Sequence, residues 1–175
     1  MTTAMNEQQI NTGDIELKYY NAYFGIDSYY YLPLMIDFYS GKKIRFNGWA
    51  FWGGMLWQIY RRQYRALLIT FSIAIAFAVI EKIIDRFGSL GGNYNLGIHY
   101  LSTLIIALII GFTGNFFIMR RAQQKTKEIL AKNEDEDITL LKLEKAGSGN
   151  KAGVYITILL FIGLIVLKLV LKSQM

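Results

Sequence analysis

Cysteine is absent from the 175 residues, so the chain has no disulfide framework, no thiolate metal site and no cysteine nucleophile. Histidine is nearly absent: His99 is the only one, which argues against a His-rich zinc site and leaves a Ser-His-Asp triad a single candidate base. Proline also occurs once, at Pro33, and that excludes a proline-rich linker protein. Charge is scarce, 18% of residues against about 25% in ordinary soluble proteins. No Gly-x-Ser-x-Gly elbow, phosphate loop, His-Glu-x-x-His pair or dinucleotide fingerprint occurs. What is abundant is apolar surface, 53% of residues, with 15% aromatic and a net charge of +6.

The apolar residues are concentrated in three runs. Residues 66–80 carry no charge and extend to Ile84 if Glu81 and Lys82 lie near the end; residues 101–119 carry none; residues 152–167 carry none and reach Leu171 past Lys168. Each is near the ~20 helical residues that cross a ~30 Å hydrocarbon core. Open strand edges find no partners in lipid, so the spans are expected to be helices. The expected fold is all-α: an integral membrane protein with three transmembrane helices, an aromatic interfacial or re-entrant helix, and short cytoplasmic amphipathic helices. The expected organisation is a flexible tail over 1–18, a cytoplasmic aromatic and basic interfacial segment over 19–65, a transmembrane hairpin over 66–118, a charged cytoplasmic loop over 119–151 and a third span over 152–172. Residues 1–24 hold no apolar stretch of the kind a secretory signal needs, so the first span is expected to serve as an uncleaved anchor.

Basic residues set the expected orientation. Lys42, Lys43, Arg45, Arg61, Arg62 and Arg65 precede the first span, Arg86 alone follows it, and eight lysines and arginines fall in 120–151. The N-terminus and the 120–151 loop are therefore expected in the cytoplasm. The glycine-rich loop 87–97 and the C-terminus are expected outside, against the opposing pull of Lys168 and Lys172.

Residues 46–60 contain all three tryptophans, Trp49, Trp52 and Trp57. Fifteen helical residues rise only ~22 Å, short for a span. Trp and Tyr favour the headgroup level, so Trp49, Trp52, Trp57, Tyr60, Arg61, Arg62, Tyr64 and Arg65 are the expected membrane-interface residues. Upstream, residues 19–39 carry nine aromatics, suited to docking on anionic headgroups, and Pro33 is expected to separate two short helices. Single-stranded nucleic acid would also stack on such a patch, but the spans already account for the basic excess, so no nucleic-acid partner is expected.

The stretch Phe46-Asn47-Gly48-Trp49-Ala50-Phe51-Trp52-Gly53, with Trp57 and Tyr60-Arg61-Arg62-Gln63-Tyr64 after it, resembles the signature of the bacterial domain-of-unknown-function 2628 membrane family. Phe24-Gly25 through Tyr29-Tyr30-Tyr31-Leu32, and Gly114-Asn115 before a Gln- and Lys-rich helix, are similar to its flanking features, so that the resemblance runs over about 24–150. The chain departs from the pattern where Gly48 separates Asn47 from Trp49, where Gly54-Met55 lacks the usual proline, and where Phe116 and Phe117 stand for the usual tyrosines. The resemblance implies a small bacterial inner-membrane protein and carries no catalytic residues.

Within the second run, Thr103, Ala107, Gly111 and Asn115 recur every four residues on one face, and Ser72 and Ala76 of the first run offer a matching small face. These six are the expected helix-packing residues, with Asn115 hydrogen-bonding across the seam; a solute path lined by Asn115 is the alternative. Glu81 and Asp85, one turn apart, are read as a solvated helix end in preference to an acid–base pair or metal site, and His99 as a polar cap in preference to a pH sensor. The acidic run Glu134–Asp137 lacks the alternation and glycine of an EF-hand, so no metal and no cofactor is expected. Asp137 is expected to cap a short helix over 138–146, ended by Gly147-Ser148-Gly149, with Leu140, Leu141 and Leu143 on its apolar side. The expected role is non-enzymatic: a scaffold, subunit or accessory factor acting through the cytoplasmic aromatic and basic face on membrane lipids and a protein partner or second copy. The alternative is a subunit of an oligomeric small-solute transporter or channel.

Overall fold

The computed structural model describes residues 15–87 and 92–173. The expected tail falls outside them as far as residue 14, and the glycine-rich loop does so over 88–91. The described residues form seven α-helices and no strand: α1 (Leu17–Phe24), α2 (Ser28–Tyr39), α3 (Gly48–Tyr60), α4 (Tyr64–Phe87), α5 (Gly92–Leu130), α6 (Glu136–Gly147) and α7 (Lys151–Ser173). The three apolar runs lie in α4, α5 and α7, and these helices are long and apolar enough to cross a membrane. α5 is a single helix of 39 residues, ~58 Å long, so about half of it exceeds a ~30 Å span.

Several boundaries differ from expectation. The break near Pro33 lies upstream, in a 3₁₀ turn over Gly25–Asp27, where Gly25 takes φ 55°. Pro33 sits inside α2. It forfeits one backbone bond, which the burial of Tyr31, Leu34 and Met35 around it offsets. α6 begins two residues early because Asp135, not Asp137, is its N-cap: the Asp135 carboxylate accepts from the Asp137 N–H at 3.0 Å. α5 begins at Gly92, ahead of the apolar run, since hydropathy marks where a helix turns apolar and not where it starts.

The chain divides into two compact units. Unit 1 comprises residues up to Phe46 together with Phe112–Ser148. Its core joins Tyr20, Tyr23 and Phe24 of α1, Tyr31, Leu34 and Met35 of α2, Ile118, Met119 and Ala122 of α5, and Leu143 of α6. Aromatic side chains bury large areas, and here they pack edge-on or stacked: Tyr23 on Phe24 at 5.3 Å and Phe24 on Tyr31 at 5.1 Å between centroids. α1 and α6 meet closely at Gly147, where a Cβ would lie 1.6 Å from the Tyr23 carbonyl oxygen.

Unit 2 comprises Asn47–Gly111 and Gly149–Met175, with α3 packed on α4 and on α7. Its buried residues include Ala50, Trp57 and Gln58 of α3, Gln63 just after it, Ala66 and Thr70 of α4, and Ser102 and Ile110 of α5. α7 buries no residue at all.

Candidate functional site

The expected membrane-interface residues lie in unit 2 on α3 and the turn into α4. Asn47 caps α3: its side-chain oxygen accepts from the Ala50 N–H at 2.9 Å, and its own N–H donates to the Gly111 carbonyl at 2.8 Å. Gly54, at φ 52° and ψ −133°, breaks the helix in its middle. Before the kink, Trp49 and Trp52 stand 82% and 85% exposed. After it, Trp57 is buried, and its Cβ lies where a side chain on Gly53 would have to go. The three tryptophans therefore divide, two facing outward and one in the core.

Arg61 places its guanidinium over the Tyr60 ring at 5.2 Å. Arg62 turns the chain with φ 55°, and Tyr64 and Arg65 are exposed at the start of α4. The Tyr60 carbonyl accepts from the Asn150 N–H at 2.7 Å, and the Tyr64 hydroxyl accepts from Asn150 Nδ2 at 3.1 Å. Asn150 also caps α7, accepting from the Gly153 N–H at 2.9 Å. Tyr60 and Tyr64 thus fasten the start of α7 to the turn after α3.

Beneath this surface, Gln58 Nε2 donates to Thr70 Oγ1 at 3.0 Å, both residues being buried, and Gln58 Oε1 has no hydrogen-bond partner among the described residues. Just before and along α4 the buried positions Gln63, Ala66 and Thr70 follow helical spacing, whereas Ser72 and Ala76 are exposed and Ser72 bonds back to the Leu68 carbonyl. On α5, Thr103 is exposed and bonds back to the His99 carbonyl, Ala107 is half-buried, and Gly111 is buried. At the far end of α4, Glu81 meets His99 Nδ1 at 3.3 Å.

The family model described as "Protein of unknown function (DUF2628)" matches residues 27–123, more than half of the chain. The chain belongs to the DUF2628 family. The match runs from the end of the 3₁₀ turn into α5, so Trp49, Trp52, Gln58, Arg61, Arg62 and Asn115 lie within the DUF2628 region, and α6 and α7 lie beyond it. No curated protein and no solved structure matches the chain.

In unit 1, Asn115 is buried and donates to the Arg45 carbonyl at 3.1 Å and to Tyr30 Oη at 3.4 Å. It ties the segment after α2 to α5, a contact no helical periodicity announces. The two phenols Tyr20 and Tyr39 bond at 2.7 Å, and Gln123 Nε2 donates to Tyr39 at 3.2 Å. Burial, and then the bond to Tyr39, raise the pKa of the Tyr20 phenol. Lys18 bridges Glu136 at 2.8 Å and Glu16 at 3.1 Å, and those bonds raise the pKa of its ammonium. Lys142 pairs with Glu134. Four of the nine aromatics in 19–39, Tyr20, Tyr23, Phe24 and Tyr31, are buried in the core of unit 1, while Tyr29 is exposed. Among the described residues, no group of three His, Asp or Glu side chains is placed to hold a metal ion.

Sequence reasoning missed Asn47, Gln58, Thr70 and Asn150. Asn47 and Asn150 were detectable, since each is an asparagine immediately ahead of a helix. Gln58 and Thr70 carry no such signal, because their pairing depends on how α3 folds back on α4.

Proposed function

We propose that this DUF2628 chain is a three-span protein of the bacterial inner membrane that works without catalysis, as a scaffold, subunit or accessory factor. α4, the apolar part of α5 and α7 are the spans. The N-terminus and the 119–151 loop lie in the cytoplasm and the C-terminus outside. The cytoplasmic face that meets lipid and a protein partner is narrower than the aromatic content suggests: Trp49 and Trp52, with Arg61, Arg62 and Arg65 following in sequence.

One observation carries this reading. α7 holds 23 residues and buries none, with Leu159, Leu160, Phe161 and Leu164 all more than 60% exposed. So much contiguous apolar surface is not kept in water; a hydrocarbon phase or another apolar helix must cover it. The exposed tryptophans support an interfacial position for α3, because an indole with its ring in the apolar boundary and its N–H wet sits at the headgroup level.

The test has two readouts. The chain should stay with membranes through alkaline carbonate washing, and a reporter active only in the cytoplasm, fused after Met175, should be silent. Mild-detergent purification should then bring down a protein partner or a second copy, and Trp49→Ser/Trp52→Ser should weaken that association or the attachment to anionic vesicles. Carbonate-extractable protein, or an active reporter, defeats the topology. A second reading, an oligomeric solute carrier, is favoured by one observation, the buried Gln58–Thr70 pair with its spare carbonyl oxygen. Solute flux in liposomes that is lost in Gln58→Leu would select it.

A further inference from the structure

The exposed face of α7 also carries two charges. Lys168 and Lys172 lie one turn apart on it, and neither has an ion-pair partner among the described residues. Glu81 and Asp85 lie one turn apart near the end of α4, where they line a cleft of about 270 Å³ with Ala78, Lys82 and Ile98.

The axial positions agree. Glu81 and Asp85 follow the basic residue Arg65 at the start of α4 by sixteen and twenty residues, and Lys168 and Lys172 follow Lys151 at the start of α7 by seventeen and twenty-one. At 1.5 Å per residue these are ~24 and ~30 Å against ~26 and ~32 Å. With both basic starts at the cytoplasmic interface, as the three-span reading has them, α4 and α7 run in the same direction. Carboxylates and ammoniums then sit at the same depth, within ~2 Å. Charge at that level is tolerated when it is paired.

We infer that α7 of one copy packs along α4 of a second copy, with Lys168 and Lys172 reaching Glu81 and Asp85 in the α4 cleft. Other groups there restrict the approach. His99 already holds one oxygen of Glu81 at 3.3 Å, and Asp85 too is already engaged within the chain. Lys82 and Arg86 each stand one residue further on, ~100° around the helix, and repel a lysine coming from their side. α7 of the second copy is therefore directed to the carboxylate flank. Each copy offers both surfaces, so the contact closes into a dimer or small ring about an axis normal to the membrane.

The chain contains no cysteine, so engineered ones report without background. Ala78 and Leu164 are both exposed, each thirteen residues beyond its basic start and about one turn before Glu81 and Lys168. Two differently tagged copies are co-expressed, one Ala78→Cys and the other Leu164→Cys, and membranes are oxidised. A disulfide joining the two tags forms only between copies. It should be the main oxidised product, and should fall at least fivefold when the Leu164→Cys copy also carries Lys168→Gln/Lys172→Gln. Asp85→Lys on the first copy should lower it too, and Lys172→Glu on the second should then restore it. No mixed-tag product, or a yield indifferent to the lysines, overturns the pairing. The inference rests on the three-span reading, and the reporter after Met175 separates the two: a silent cytoplasmic reporter with no mixed-tag product defeats the pairing alone, and an active one defeats both.

Discussion

Unit 1 and unit 2 use their apolar residues in opposite ways. Unit 1 turns its aromatic residues inward: Tyr20, Tyr23, Phe24 and Tyr31 join Met35, Met119 and Leu143 in a core that the chain closes by itself. Unit 2 has a small buried centre around Trp57, Gln58 and Ala66, and leaves most of α4 and most of α7 outward. An aromatic-rich sequence is therefore no guide to which surface is free. The aromatic segment 19–39 has the composition of a docking face, yet four of its nine aromatics are core. The aliphatic α7 has the composition of a core helix and has no core to enter.

The largest effect expected from this difference comes from matched truncations. Leu143 is fully buried in unit 1, and Leu159 in α7 is 67% exposed. Leu143→Ala should cost about 2–5 kcal/mol through lost contacts and the cavity left behind, enough to lower the unfolding midpoint in detergent by about 10 °C. Leu159→Ala should change it by less than about 0.5 kcal/mol, as a surface substitution does. Equal losses would mean that α7 has a packing partner within the chain at Leu159 also, beyond its contact with α3, and the contrast between the units would fail.

Glycines sharpen the same contrast. Gly147→Ala sets a methyl carbon against the Tyr23 carbonyl oxygen, so α1 and α6 must move apart. A cost of about 1–3 kcal/mol is expected, as for other overpacked sites. Gly163 has nothing within 4 Å of a Cβ. Gly163→Ala should leave stability unchanged or raise it by up to about 1 kcal/mol through helix propensity. Thermal unfolding of the two variants in the same detergent decides; destabilisation by Gly163→Ala would place another helix against α7.

How much of this was legible in the sequence follows from the range of each interaction. The apolar helices were plain, because hydropathy over twenty residues depends on composition alone. Helix ends set by one side chain were partly legible: Gly147 ending α6 was expected, while its cap moved from Asp137 to Asp135 because neighbouring acids compete for the same role. Asn115 was singled out for its polarity in an apolar run, yet its partners, the Arg45 carbonyl and Tyr30, lie 70 and 85 residues away. The small-residue pattern at Ser72, Ala76 and Thr103 marks a face that the chain does not bury in itself, whereas Ala66 and Thr70, equally small, are buried. Periodicity identifies faces; which face finds a neighbour is decided by the turn at Arg62 and the kink at Gly54.

The smallest expected effect tests whether the buried polar pair of unit 2 serves stability. Gln58 donates to Thr70, both are buried, and the Gln58 carbonyl oxygen has no partner among the described residues. A net hydrogen bond is worth about 0.5–1.5 kcal/mol, and removing one partner strands the other at a cost of about 1–3 kcal/mol. Thr70→Val removes the acceptor and leaves the Gln58 amide unsatisfied, so it should destabilise within that range. Gln58→Leu leaves a hydroxyl able to turn to its own helix carbonyl, so it should cost less. The double variant Gln58→Leu/Thr70→Val removes both polar groups and should lie near the wild type, the two single losses failing to add. Unfolding midpoints of the three variants give the coupling. A double variant as unstable as the sum would mean that Gln58 and Thr70 hold separate partners. A stable double variant that has lost solute flux would mean that the spare carbonyl oxygen of Gln58 is kept for a ligand, at the expense of a fully satisfied core.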